Sequence, residues 1–225
     1  MAQHFKDALD CLREKVARMT ASVQLEVEQA VEAVLTANVK LARTVIDGDR
    51  RIDEEEVEIE KAAIDLLALY QPAASDLRLI TTIIKVNGDF ERVADCAVNV
   101  AQRVPSLASG QNGQYHPPED LRVMGNTVVT TLRETIKAFN LPDATLARSV
   151  LRSDDVVDAL YHQIVQDMVG MMEAGGQQAG LDLSNIMIAK NLERIADHCT
   201  NIAENVVYVA SGRIIRHRHA AEASM

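Results

Sequence analysis

The chain repeats itself. Residues 87–101 read NGDFERVADCAVNVA, and residues 189–203 read AKNLERIADHCTNIA. At an offset of 102, Glu91, Arg92, Ala94, Asp95, Asn99 and Ala101 match Glu193, Arg194, Ala196, Asp197, Asn201 and Ala203. Val93 and Val100 meet Ile195 and Ile202, and Phe90 meets Leu192. Earlier in each half, ARTVIDGDRRID (42–53) resembles ARSVLRSDDVVD (147–158) at an offset of 105. The matched segments come in the same order, so each half is one copy of the same unit. Between the copies, PSLASGQNGQYHPPED (105–120) gathers Gly, Ser, Asn, Gln and three Pro, and the apolar periodicity stops. The expected division is a first unit at 1–108, a linker at 109–118, a second unit at 119–212 and a basic tail at 213–225 holding Arg213, Arg216, His217, Arg218 and His219.

Each unit reads as helix, helix, helix. Aromatic residues make up only 3% of the chain and hydrophobic residues 48%, so the core is aliphatic. Ten Gly and five Pro leave few turns, which argues against a sandwich or barrel. In the first unit a long helical pattern over 4–46 meets Asp47-Gly48-Asp49, read as a break. A second helix over 50–70 ends at Gln71-Pro72, and Ser75 or Asp76 is placed to cap a third helix reaching 104. The second unit reads as helices over 119–139, 143–173 and 182–211, with Ser153-Asp154 a candidate kink. Amphipathic helices with short connections predict an all-α fold of two tandem three-helix bundles.

Carboxylates line the flanks of these helices. At about 100° per residue, Asn87, Glu91, Asp95 and Asn99 form one row beside the apolar stripe of the third helix. Glu193, Asp197 and Asn201 repeat that row in the second copy. On the middle helix of the first unit, Asp49, Asp53, Glu56 and Glu60 form another; Asp154 and Asp158 match its start, but Tyr161 replaces Glu56. Like charges four residues apart on a helix repel by a few tenths of a kcal/mol per pair. A bound cation reverses that sign, and oxygen ligands suit Mg²⁺, Ca²⁺, Mn²⁺ or iron. A solvated acidic face is the plain alternative. His198 reads as a surface or boundary residue, and Cys96 and Cys199 as small core residues.

The net charge of −10 disfavours nucleic acid as a partner. Three cysteines without C-x-x-C fit a reducing compartment, and no signal peptide or membrane-spanning run is visible, so a cytoplasmic location is expected. Nothing resembles a phosphate loop or a nucleophile elbow. A ferritin-like carboxylate enzyme or metal store needs Glu-x-x-His, and no histidine has Glu three residues before it.

QPAASDLRLI (71–80), DFERVADCAVNVA (89–101), NLERIADHCTNIAE (191–204) and VIDGDRRID (45–53) together resemble the PhoU family of phosphate-uptake regulators. The resemblance implies a cytoplasmic, non-enzymatic homodimer of two three-helix units, at most peripherally associated with the membrane. It implies a regulator acting between the phosphate ABC transporter and a sensor histidine kinase, holding the phosphate-starvation response off. It also implies metal sites at E-x-x-x-D motifs, some multinuclear and occupied by iron or zinc. Carried over, those motifs are Glu91 with Asp95 and Glu193 with Asp197, with Asn99 and Asn201 on the next turn. A carboxylate metal store or metal-dependent helical enzyme is the alternative.

Overall fold

A computed structural model describes residues 2–109, 115–175, 178–213 and 215. The middle of the expected linker, 110–114, and all but Arg213 and Ile215 of the expected basic tail lie outside the described residues. The order of elements is α1 (Ala2–Leu35), α2 (Val39–Tyr70), α3 (Ala74–Ala101), α4 (Val104–Ser109), α5 (Glu119–Asn140), α6 (Ala144–Glu173) and α7 (Ala179–Ser211). No strand occurs among the described residues. Helices α1, α2 and α3 pack pairwise into one bundle, and α5, α6 and α7 into a second.

The first turn of the chain lies elsewhere than the sequence suggests. The break falls at 36–38, not at 47–49, and α2 runs unbroken through Asp47-Gly48-Asp49. Ala37 takes a left-handed φ of 49°. Asn38 then caps α2, its side-chain oxygen accepting from the amide of Leu41 at 3.0 Å. The equivalent Asp143, 105 residues on, caps α6 by accepting from Thr145 and Leu146 at 2.8 and 3.1 Å. A helical Gly costs about 1 kcal/mol relative to Ala. Burial of Val45 and Ile52 on either side of Gly48 outweighs that. Replacing Asn38 by Ala removes the cap and lowers unfolding free energy by about 1 kcal/mol in urea titrations; no loss would mean that packing alone sets this turn.

Other ends differ by smaller amounts. α3 starts at Ala74, with no side-chain cap from Ser75 or Asp76. Asp76 lies in its first turn, where the amide dipoles favour an acid. The third helix stops at Ala101, and the separate α4 carries Val104 and Leu107 into the core. Pro105 is tolerated there because it lies in a first turn, which needs no amide donor. α6 passes through Ser153-Asp154 without interruption, the Ser153 hydroxyl donating to the Val150 carbonyl at 2.7 Å.

The bundles join along α3 against α7 and α1 against α5. The Phe90 ring meets Phe139 edge-on at 5.6 Å. Gly125 allows close approach of α5 to α1: a Cβ there would fall 2.9 Å from Val31 Cγ1. Polar ties cross the same seam. His198 Nδ1 lies 3.0 Å from Asp89 Oδ1, Arg133 donates to Glu28 at 2.8 Å, and the Ser106 and Ser184 hydroxyls meet at 2.9 Å. The buried apolar side chains of both halves form one cluster, which includes Cys96 and Cys199. No helix among the described residues is long and apolar enough to cross a membrane.

Candidate functional site

The carboxylate rows of α2 and α3 face one another across the first bundle. Asp49 feels the charges of Asp53 and Asp95, and Glu91 those of Asp95, Asp53 and Glu56. Partial burial, and then these neighbours, hold the carboxyls of Asp49 and Glu91 above the ordinary range. Glu56 is raised by burial, then by Glu60 and Asp53, against the opposing pull of Asn87. The buried Asn87 amide donates to Glu56 Oε1 at 3.1 Å and to the Glu56 carbonyl at 2.8 Å, tying α3 to α2. Asp53 and Asp95 are exposed, so the row opens to solvent; Asn99 is half-buried one turn beyond.

One member comes from α1, and the sequence reading missed it. Glu26 is only 6% exposed, and its Oε1 has no hydrogen-bond partner. Burial pushes its carboxyl up to about 8, and the charges of Asp49, Asp53 and Asp95 add to the rise while Arg51 opposes it. The signal lies in the pattern. Glu26 falls inside the apolar stripe of α1, between Val23 and Ala30, where an acid has no packing role. It also lines a cleft of ≈690 Å³ between α1 and α2, with Ser22, Gln29 and Thr44.

The second bundle repeats part of this arrangement. Asp154 is pushed up to about 6 by burial and by Asp158 and Asp197, with a hydrogen bond from Thr200 opposing. Its Oδ1 is buried without a partner. Asp197 is raised by burial of its carboxyl, then by Glu193 and Asp158. Here, however, a cation is already present in the chain. Lys190 Nζ lies 2.6 Å from Glu193 Oε2 and 5.3 Å above the Tyr161 ring. At the corresponding place in the first unit stands Gly88. Asn201 is exposed on the next turn.

Among the described residues, no three His, Cys, Asp or Glu side chains converge closely enough to hold a metal ion as they stand. What the clusters offer is an excess of negative charge only partly offset by Arg51, Arg92 and Lys190, with Glu26 Oε1 and Asp154 Oδ1 buried and unpaired. That donor set fits a hard, oxygen-seeking cation. The thiols do not contribute: burial pushes Cys96 up to about 11 and Cys199 up to about 12, so both stay protonated. His198 sits at the seam with Asp89.

Sequence and structure comparisons agree with the repeat. The sequence model of the PhoU domain matches twice, over residues 16–104 and 121–206. The chain is 37% identical over 218 residues to the phosphate-specific transport system accessory protein PhoU homolog of Aquifex aeolicus, covering 97% of each chain. It is 34% identical over 210 residues to PhoU homolog 1 of Thermotoga maritima, covering 93% of this chain and 90% of that one. Over 215 residues it is 31% identical to PhoU of Escherichia coli, covering 95% and 88%. The crystal structure of PhoU from Pseudomonas aeruginosa superposes with a TM-score of 0.86 at 36% identity, over 93% of this chain and 100% of that one. For the phosphate transport system regulatory protein PhoU from Streptococcus pneumoniae the TM-score is 0.85 at 27% identity, over 94% and 99%.

Proposed function

Since this chain belongs to the PhoU family, we propose that it is an accessory regulator of phosphate-specific transport that works by binding proteins, with no turnover of its own. The observation that carries the reading is the double match. Both copies of the repeat fit the PhoU domain, and relatives of nearly equal length are named as accessory proteins of the phosphate-specific transport system. The partners are the phosphate ABC transporter and a sensor histidine kinase, and the protein keeps the starvation response off while phosphate is plentiful. Two like units in one chain suit an adaptor, because one molecule can engage two partners at once. The acidic surface suits basic segments of those partners, an attraction that weakens as salt rises.

A metal-binding role belongs to the same reading. Asp49, Asp53, Glu56, Glu91 and Asp95 would hold a cation in the first unit, and Asp154, Asp158, Glu193 and Asp197 in the second. The bound ion would supply the positive charge that these rows lack, and iron, zinc, Mg²⁺ and Mn²⁺ are the candidates. The chain's own residues would set its place: Asn87 holds Glu56 toward α3, and the core residues Ile52, Val93 and Ala94 anchor the helices that carry the acids.

Deleting the gene is expected to derepress the phosphate-starvation response in phosphate-replete medium, read as expression of a starvation-induced reporter. Pull-downs at low salt are expected to recover the transporter or the kinase. Normal repression in the deletion strain, with no second copy of the gene, would overturn the assignment.

A further inference from the structure

We propose that residues 214–219, just beyond the last helix, dock into an apolar groove at one end of the seam and strap the second unit onto the first. The groove has a volume of ≈560 Å³. It carries Val16 of α1, Leu79 and Ile83 of α3, and Phe139, Leu141 and Pro142 at the α5–α6 turn, so both units build it. Leu141 is 73% exposed there, apolar surface that a docked side chain would remove from water. Four helices meet at the seam in a ring: α1 packs on α3, α3 on α7, α7 on α5 and α5 on α1. The groove is lined from α1, α3 and the end of α5, and the fourth corner of the ring is α7.

The register of α7 brings its end to this groove. Asp89 meets His198, and Ser106, beyond the end of α3, meets Ser184 near the start of α7, so α3 and α7 run antiparallel. Leu79 lies ten residues before Asp89 and Tyr208 ten after His198, which sets the two level. The same count sets Asp76 level with Ser211, where α7 ends. Leu79 and Ile83 then lie only about 5 and 11 Å along α3 from that end, at 1.5 Å per residue. There the chain turns back. Gly212 takes a left-handed φ of 70° and caps α7, its amide donating to the Tyr208 carbonyl at 2.8 Å. Three residues on, Ile215 is half-buried and packs against the core. Extended chain spans up to about 3.5 Å per residue, so the residues from 213 to 219 reach the whole groove.

The chemistry of the segment matches. Ile214 and Ile215 supply an apolar pair for the apolar floor, and Arg216, His217, Arg218 and His219 follow. Two acids stand at the rim to receive the arginines. Glu14 lines the groove, and Asp76 lies one turn before Leu79 on the same face of α3. Among the described residues neither makes an ion pair, whereas Arg13, the cation of the lining, is 3.4 Å from Asp10. The proposal depends on neither the metal reading nor the regulatory one.

The test uses the full-length protein, which has no Trp, so Ile214→Trp places a single indole in the segment. Its emission is expected to be blue-shifted, as for a buried indole, and the same at low and high protein concentration. Adding Leu141→Asp, a change at an exposed position, is expected to return the emission to that of the same indole in a free peptide of residues 213–225. Glu14→Gln/Asp76→Asn is expected to shift it part of the way, as is high salt. Stopping the chain after Gly212 is expected to lower the melting temperature by about 3 °C. Leu141→Asp is expected to cost a similar amount in the full chain and nothing further in the shortened one, because both changes remove one contact. That comparison needs no indole and decides the matter should Ile214→Trp fold poorly. Solvent-like emission at every concentration, a blue shift that Leu141→Asp leaves in place, or losses from truncation and Leu141→Asp that simply add would each overturn the proposal. A blue shift that appears only as concentration rises assigns the groove to a second copy of the chain and overturns the strap.

Discussion

Replacing Phe90 by Ala is expected to lower the unfolding free energy by about 3–5 kcal/mol and the melting temperature by roughly 10 °C. The side chain is 1% exposed, and it is one of only three Phe in a chain without Trp. Its neighbours on α3, Val86, Val93, Ala94 and Ala97, are small and already buried, so little can move in to fill the space. The ring also reaches Phe139 of α5, so the cavity opens at the seam between the units as well as within the first. Loss of stability should therefore be felt by both bundles. A single cooperative urea transition, shifted for the whole molecule, is the expected readout. Phe5→Ala is the control: Phe5 is only half-buried and packs against Tyr70 near the start of α1, so its loss costs about 1 kcal/mol. If Phe90→Ala costs no more than Phe5→Ala, or if two transitions separate in it, the seam is not part of a common core.

The fold was legible in the sequence to the extent that the two copies resemble each other. Glu91, Asp95 and Asn99 recur as Glu193, Asp197 and Asn201, and that recurrence gave both the number of units and the register of the acidic rows. The turn before α2 was misread because Asp47-Gly48-Asp49 looks like punctuation, whereas the true turn at Thr36-Ala37-Asn38 contains neither Gly nor Pro. Comparing the copies would have found it, since Asn38 aligns with Asp143 after the unmistakable Pro142. Glu26 and Lys190 were illegible for a different reason. Each stands in one copy only, so a search for repeated residues passes over them. Both also act across helices: Glu26 toward Asp49, Asp53 and Asp95, and Lys190 of α7 over the Tyr161 ring of α6, besides its pairing with Glu193 one turn along its own helix. The His198–Asp89 contact is hidden in the same way, because it joins a residue of the second unit to one of the first.

The chelator-stripped protein is expected to be more stable near pH 5 than near pH 8, losing roughly 5 °C in melting temperature across that span after allowance for solvent screening. The sign follows from the direction of the shifts. Glu26 titrates about 8 in the folded protein against 4.5 for an ordinary glutamic acid, and Asp154 about 6 against 3.8. Between those limits the folded state holds protons that the unfolded state has released, so stability falls as pH rises. The contribution of Glu26 is complete below about pH 4.5 and lost as pH passes 8; that of Asp154 is complete below 3.8 and lost through 6. Asp49, Glu56, Glu91 and Asp197 are shifted the same way. Glu28 opposes the trend: its hydrogen bond with Arg133 lowers its carboxyl, so its contribution is lost on the acid side, and the optimum stays mildly acidic. A cation among the carboxylates favours their charged forms, so adding Mn²⁺ should flatten or reverse the decline above pH 6 while changing little at pH 5, where protons compete for the same oxygens. Glu26→Gln, permanently neutral at this position, should remove much of the decline in the stripped protein. Melting curves at pH 5, 6.5 and 8, with and without Mn²⁺, decide the matter. A stripped protein that gains stability steadily toward pH 8 would mean that the two rows of acids are solvated faces, separated widely enough that their charges do not meet.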